Sequence, residues 1–140
     1  MEHRVFSGVF DQIERIAPGL TSLEGVKLLG QLIEGMLNRH ADTENNLAYT
    51  ALDHILEDRH HLDRLHHDHH EIDTHFRLVQ KARSLTEAQH LLKNGIAASR
   101  AHFQFEERDV FPLLNSVLES ETLCKLGDAR MEHPLAMAVA

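Results

Sequence analysis

The 140-residue chain has few of the residues that build covalent cross-links or membrane spans. Its single cysteine, Cys124, excludes a disulfide or a cysteine-based zinc or iron–sulfur site within one chain. No apolar run approaches the ~20 residues that a helix needs to cross a bilayer. The N-terminus also lacks a basic segment followed by an apolar one. We therefore expect a cytoplasmic protein that has no membrane as a partner.

Positive charge is scarce as well. Fourteen Lys and Arg stand against 22 Asp and Glu, which gives a formal net charge of −8. Nucleic acids and anionic membranes both require concentrated Lys and Arg. The charge balance therefore predicts no nucleic acid partner, and the length is that of one domain.

Proline is nearly absent from the middle of the chain, where Pro112 is the only one between Leu20 and Ser116. Alternating β-branched residues are absent too, so the sequence predicts an all-α protein. We expect an up-down-up-down antiparallel four-helix bundle over residues 1–118. A C-terminal extension over 119–140, packing on the bundle or trailing from it, could form a short fifth helix.

Helix boundaries follow from local signals. A first helix over 2–16 carries an apolar stripe of period near 3.6, and the sequence Pro18-Gly19 ends it. The stripe consists of Phe6, Val9, Phe10, Ile13 and Ile16. The capping box Thr21-x-x-Glu24 predicts the start of a second helix, about 35 residues long by pattern. Its apolar face includes Leu29, Leu32, Ile33, Met36 and Leu37.

The signals for helix ends are less regular in the second half of the chain. No Gly or Pro separates the second helix from the third, and we place that break near residues 56–59. The third helix should end at about Lys81. A second capping box, Ser84-x-x-Glu87, predicts a fourth helix that continues to about Leu118, with a kink at Pro112.

Histidine is the residue type in excess, with 13 in the chain and seven of them between His60 and His75. For most of these seven, a solvated face that picks up stray divalent metal is the preferred interpretation. Six residues stand apart because they form a duplicated pattern, in which an acid-histidine pair is followed by His-x-x-x-Glu. They are His3, His40, Glu44, His69, His102 and Glu106.

Helix geometry brings these six residues to one level. Counting 1.5 Å per residue up one helix and down the next leaves mismatches of only a few ångströms between the four histidines. All six also continue the apolar stripes of their helices, so they should face inward. Using His70 instead of His69 would put Asp73, Arg77 and Gln80 on the core face.

Buried imidazolium and carboxylate groups are costly without a compensating partner, which a metal supplies. Imidazole and carboxylate ligands without thiolate suit iron, manganese or zinc. The six residues are therefore candidate metal ligands, and we assign no separate catalytic residue.

The motifs EHRVF, HADTE, DHHEI and HFQFEERDVFPLL resemble those of the haemerythrin-like family, also called the HHE cation-binding domain, over about residues 2–118. The resemblance implies a four-helix bundle that holds a non-haem di-iron centre with a bridging oxygen (Fe–O–Fe). By that resemblance, His3 and His40 would bind one iron and His69 and His102 the other. Glu44 and Glu106 would bridge the two ions.

Two positions depart from the oxygen-carrying members of that family. Leu65 stands where the carriers have a fifth histidine, and the last carboxylate is Glu106 at i+4 where they have Asp at i+5. His66, beside Leu65, is a candidate additional ligand. The ligand set looks more like that of di-iron repair proteins and other bacterial members.

Three functions remain open at this stage. The first is a non-haem di-iron protein that binds or senses a small diatomic or peroxide ligand, namely O2, NO or peroxide, or that handles iron. The second is a di-iron enzyme that reduces peroxide or NO or repairs iron centres. The third is a zinc-binding or metal-free helical interaction module. A monomer and a homodimer are both compatible with the sequence.

Overall fold

The structure is a computed structural model that describes residues 2–45 and 60–116. Within them every regular element is helical, and no strand occurs. The four main helices are α1 (Glu2–Ile16), α2 (Leu23–Glu44), α3 (His60–Lys81) and α4 (Leu85–Phe105). They pack against one another, so the predicted four-helix bundle is confirmed. None of the helices described is both long and apolar enough to span a membrane.

The start of α2 differs by one residue from the prediction. A 3-10 turn over Ala17–Gly19 ends the first helix, as Pro18-Gly19 predicted. The residue that caps α2 is Ser22, however, not Thr21: its extended backbone precedes the first helical residue, and its hydroxyl accepts from Gly25 N–H at 2.9 Å. Both residues are good caps, and the position of the last non-helical residue decides between them.

The start of α4 is the one that the second capping box predicts. Ser84 Oγ accepts from Glu87 N–H at 3.1 Å. The Glu87 carboxylate reaches back to Arg83 N–H at 3.1 Å, one residue beyond the usual target. Two amide groups of the helix start therefore gain side-chain partners.

The last described helical segment is irregular just before Pro112, where the sequence predicts a kink. A π-helix over Glu106–Val110 follows α4, and Phe111 N–H donates to Glu106 C=O, five residues earlier. Proline has no N–H and crowds the carbonyl four residues before it, which here is that of Arg108 inside the π-helix. The chain then continues as helix over 111–116.

Two apolar clusters fill the bundle, one on each side of a polar layer. The larger cluster holds Phe6, Phe10, Ile13, Val26, Ile33, Leu37, Ile72, Phe76, Val79, Ala82, Ala88, Leu92, Ile96 and Phe103. The smaller cluster holds Leu62, Leu65, Phe105, Val110 and Leu114. Most predicted stripe residues are therefore in the core, but Ile16 and Leu32 are exposed because they lie at the edges of their helix faces.

Polar contacts tie the helices together at the side of the bundle. Arg100 of α4 donates to Asp11 at 2.8 Å and to Glu14 at 3.1 Å, both on α1. On the other side, Gln80 Nε2 of α3 donates to Lys27 C=O of α2 at 2.8 Å. The helices α3 and α4 approach closely where the Phe76 ring lies on Gly95.

The seam between α1 and α2 is more open. An apolar groove of about 470 Å³ runs along it, lined by residues that include Val9, Ile13, Leu29 and Met36. The predicted helix break near residues 56–59, the end of the fourth helix near Leu118, the extension 119–140 and Cys124 all lie outside the described residues.

Candidate metal centre

The structure brings all six sequence-predicted ligand residues into the polar layer. One group contains His3, His40, Glu44 and Glu106, all of them buried, and a second contains Glu44, His69 and His102. Within each group, one potential ligand atom per residue lies within 4.8 Å of the others. Glu44 belongs to both groups, so the two form one continuous cluster.

The histidines form two pairs that each join two helices. His3 Nε2 of α1 and His40 Nε2 of α2 lie 3.2 Å apart. His69 Nε2 of α3 and His102 Nε2 of α4 lie 2.9 Å apart. Each pair therefore directs two ring nitrogens toward a common point.

The two buried glutamates connect these pairs. Glu44 Oε1 lies 2.8 Å from His40 Nε2, one helical turn away. Glu106 Oε1 lies 3.2 Å from His102 Nε2 and 3.5 Å from His3 Nε2. A single oxygen of Glu106 thus reaches one histidine of each pair.

Aromatic and aliphatic side chains close the polar layer at both ends. The Phe103 ring stacks on the His3 ring with 4.1 Å between centroids, and Phe111 lies 5.4 Å from the same ring. Phe6 lies edge-on to His40. Leu65, where the oxygen carriers have a fifth histidine, is fully buried in the smaller apolar cluster.

Three further carboxylates hold the outer nitrogens of the histidines. His3 Nδ1 bonds Glu107 Oε1 at 3.2 Å, His102 Nδ1 bonds Asp68 Oδ2 at 3.1 Å, and His40 Nδ1 bonds Glu2. Such partners fix the ring orientation and tautomer of metal-binding histidines. Sequence reasoning did not identify them. The signal was present, because Glu2 and Asp68 each directly precede a predicted ligand, but each bonds the histidine of the next helix.

The pKa values of His40 and Glu44 both depart from the ordinary values of these side chains. Burial alone would lower the pKa of His40, but hydrogen bonds and charges from Glu44 and Glu2 outweigh it and raise that pKa to about 9. Burial raises the pKa of Glu44 to about 7, against the hydrogen bond from His40 and with a further rise from nearby Glu106. Without a metal, the pair therefore holds protons that ligation would displace.

The pKa values of the other three histidines of the cluster shift in different directions. Burial and the neighbouring His102 lower the pKa of His69 to about 4. Burial lowers the pKa of His3 too, partly against Glu106. The pKa of His102 is raised, because Glu106 and Asp68 outweigh its burial. In each half, the histidine of the HxxxE motif favours a proton and its partner disfavours one.

The donor set fits a metal on chemical grounds. His3 and His40 each give an Nδ1 proton to a carboxylate, so in neutral rings both Nε2 atoms are acceptors. These two acceptors face each other at 3.2 Å, an arrangement that needs a proton or a cation between them. Imidazole and carboxylate donors suit iron, manganese or zinc more than copper(I), magnesium or calcium.

A cleft between α2 and α3 leads to the cluster. It has a volume of about 210 Å³, and His40, Glu44, His69 and His102 line its inner part. The candidate additional ligand His66 is exposed and belongs to neither metal-binding group.

Comparison with known proteins agrees with a cation-binding role for this chain. A family model described as the hemerythrin HHE cation-binding domain matches residues 1–115. No curated protein matches, and no solved structure matches. The match spans all six residues of the polar layer.

Proposed function

Because the chain belongs to the hemerythrin HHE cation-binding domain family, we propose that it is a non-haem di-iron protein that binds a small oxidant or NO. The resemblance seen in the sequence is thereby confirmed at the level of the family. The proposal adds the identity of the metal, the number of ions and the class of ligand.

One observation carries the proposal, namely that Glu106 Oε1 lies within 3.5 Å of a histidine nitrogen from each pair. A carboxylate in that position serves two ions more naturally than one. Glu44 supports it, because it belongs to both potential metal-binding groups. We assign His3 and His40 to one iron, His69 and His102 to the other, and both glutamates to a bridging role.

The protein residues have distinct tasks in this proposal. Four imidazoles supply neutral donors, and the two buried glutamates supply negative charge that balances the cations. Glu2, Asp68 and Glu107 hold the rings so that Nε2 points inward. The apolar clusters on both sides shield the layer from water, except at the cleft between α2 and α3. When bound, the iron ions would supply reversible one-electron chemistry and positions for a small ligand.

The size of the cleft favours a ligand of a few atoms. At about 210 Å³ it is smaller than the ~300–1,000 Å³ typical of pockets for organic substrates. O2, NO and peroxide fit this limit. A di-iron enzyme that reduces peroxide or NO would use the same cleft, so anaerobic turnover assays with each compound separate binding from catalysis.

The primary test is metal loading of the purified chain with Fe(II) in the absence of oxygen. We expect about two iron ions per chain, because six ligands in this layout suffice for two. The oxidised form should absorb in the near ultraviolet, and azide or dithionite should change that absorption. Binding of zinc alone would contradict the proposal and favour the helical interaction module.

A pair of adjacent glutamates provides a matched control. Glu106→Gln removes a buried carboxylate from the cluster, so we expect no more than one iron per chain. Glu107→Gln changes the next residue, which contacts the outer nitrogen of His3 and is 57% exposed. That variant should still bind about two ions. Equal iron content in the two variants would remove Glu106 from the bridging role.

A further inference from the structure

The polar layer has a described route to solvent that is lined in part by polar side chains. Its two ends are closed by the clusters around Phe103 and Leu65. The cleft between α2 and α3 differs, because its outer wall carries Asn38, His70 and Asp73. His70 and Asn38 are exposed, whereas Asp73 is partly buried. A charged solute therefore meets polar groups along this cleft, which Leu37 and Ile72 also line.

The side chains at this opening are of types that commonly bind metal ions. An imidazole, a carboxylate and an amide oxygen lie on the lining. Burial raises the pKa of the nearby Glu34 carboxyl of α2, and the charge of Asp73 raises it further. Arg77 pairs with Asp73 at 3.0 Å but is itself exposed. The combination of nitrogen and oxygen donors resembles, in type, the donor set of the buried cluster.

The cleft is also large enough for a cation that still carries water. Its volume of about 210 Å³ would hold roughly seven waters at ~30 Å³ each. An ion bound at the opening could therefore exchange water for protein donors in steps. Each step would lower the cost of moving a charge from solvent into the buried layer.

We propose that this opening is the entry site for divalent cations, with His70 and Asp73 as the first protein groups to bind an incoming Fe(II) ion. The inference rests on the proposed function, since it concerns the loading of the same centre. It assigns a role to one member of the histidine-rich segment that the six-residue cluster leaves unused. Neither residue is needed to retain the metal once it is bound.

The test is the rate at which the metal-free, full-length protein takes up Fe(II) under anaerobic conditions. The double variant His70→Ala with Asp73→Asn should load about tenfold more slowly, since local charge and capture affect encounter rates by this order. Its final iron content and the absorption of its oxidised form should equal those of the unaltered protein. Uptake at the unaltered rate would overturn the inference.

Two further variants guard against a general effect of surface histidines or of misfolding. His67→Ala removes an exposed histidine of the same segment that does not line the cleft, and it should leave the rate unchanged. An equal slowing in that variant would mean unspecific capture and would overturn the proposal. Asn38→Asp adds a carboxylate at the opening and should accelerate uptake, a gain that a damaged fold would not produce.

Repeating the rate measurements with Zn(II) separates this inference from the proposed function. If the protein binds Zn(II) but no iron, the di-iron proposal fails, and the entry site is then judged by the Zn(II) rates of the same variants. If the unaltered protein binds neither ion, both proposals fail.

Discussion

The two halves of the bundle carry the same ligand pattern but close around it differently. In α1 and α2 the histidine pair is His3 and His40, and in α3 and α4 it is His69 and His102. In both halves an acid that precedes the first histidine bonds the Nδ1 atom of the second. The repetition of this cross-helix contact shows that the duplication extends beyond the ligands themselves.

One difference lies just after the HxxxE motifs, where Asn45 follows α2 and Glu107 belongs to the turn that follows α4. That π-helical turn begins with Glu106 and Glu107, and both carboxylates reach His3 in the other half of the molecule. π-Helical turns are often found at functional sites, where they redirect side chains. The glutamate of each HxxxE motif reaches the other half, since Glu44 groups with His69 and His102 and Glu106 lies near His3.

The packing of the two helices also differs between the halves of the bundle. A side chain at Gly95 would meet the Phe76 ring at 3.0 Å, so α3 and α4 are in close contact. Between α1 and α2 an apolar groove remains, and Val5 and Leu32 beside it are 59% and 57% exposed. The first half should therefore depend more strongly on the metal for its order than the second.

Removal of the metal should give the largest effect on stability, and it should affect the two halves of the bundle differently. Ions at 1,000 times their dissociation constant stabilise a protein by about 4 kcal/mol per site. For a chain of this length that corresponds to a fall in Tm of about 10 °C or more on removal. In hydrogen exchange, α1 should lose protection first, whereas α3 and α4 around Phe76 should keep theirs. Uniform loss along the chain would contradict the asymmetry.

The pH dependence of the metal-free protein is expected to combine two opposite slopes, one from His40 and one from His69. His40, with its pKa raised to about 9, keeps a proton on folding. Its contribution is therefore fully present below about pH 6.5 and is lost as pH rises through 9. The shift corresponds to a stabilisation on the order of 3 kcal/mol.

His69, with its pKa lowered to about 4, acts in the other direction. The unfolded chain binds its proton between pH 4 and 6.5 and the folded protein does not, so stability falls as pH drops through that range. Glu44, with its pKa raised to about 7, partly opposes this below pH 7. Urea unfolding between pH 5 and 9.5 measures the slopes that His40 and His69 give to the stability. His40→Gln should flatten the alkaline slope, and His69→Gln should leave it intact.

The outer carboxylates offer a finer comparison of the halves. Asp68 and Glu2 play matching parts, but Asp68 is 20% exposed and Glu2 is 63% exposed. Loss of such partners typically reduces metal affinity 10- to 100-fold. We expect Asp68→Asn to lie near the upper figure and Glu2→Gln near the lower, because water replaces an exposed partner more easily. Chelator competition measures both, and equal losses would argue against the difference in burial as the cause.

Glycine substitutions compare the packing of the halves directly. Gly95→Ala forces the Phe76 ring to move and should lower the free energy of unfolding by about 1–2 kcal/mol. Gly8→Ala on α1 meets open space and should raise it by about 0.5–1 kcal/mol, since alanine favours a helix. Chemical denaturation of both variants gives the values. A destabilising Gly8→Ala would indicate that the surface of α1 is covered in solution.

The sequence alone was sufficient for the helical class, for the bounds of α1, for the cap of α4 and for the family. These features depend on local periodicity, capping residues and motif spacing, which act within a few turns of one helix. It also predicted which six residues should meet, because 1.5 Å per residue fixes the height of each ligand in the bundle.

Only the tertiary structure decided which carboxylates serve which histidines. Glu2 and Asp68 bond rings on neighbouring helices, Glu106 reaches both histidine pairs, and Glu107 contacts His3 across the bundle. The same holds for the opening between α2 and α3 and for the groove beside α1. These features arise from the distances and rotations between helices, and side-chain packing over the whole bundle determines those quantities.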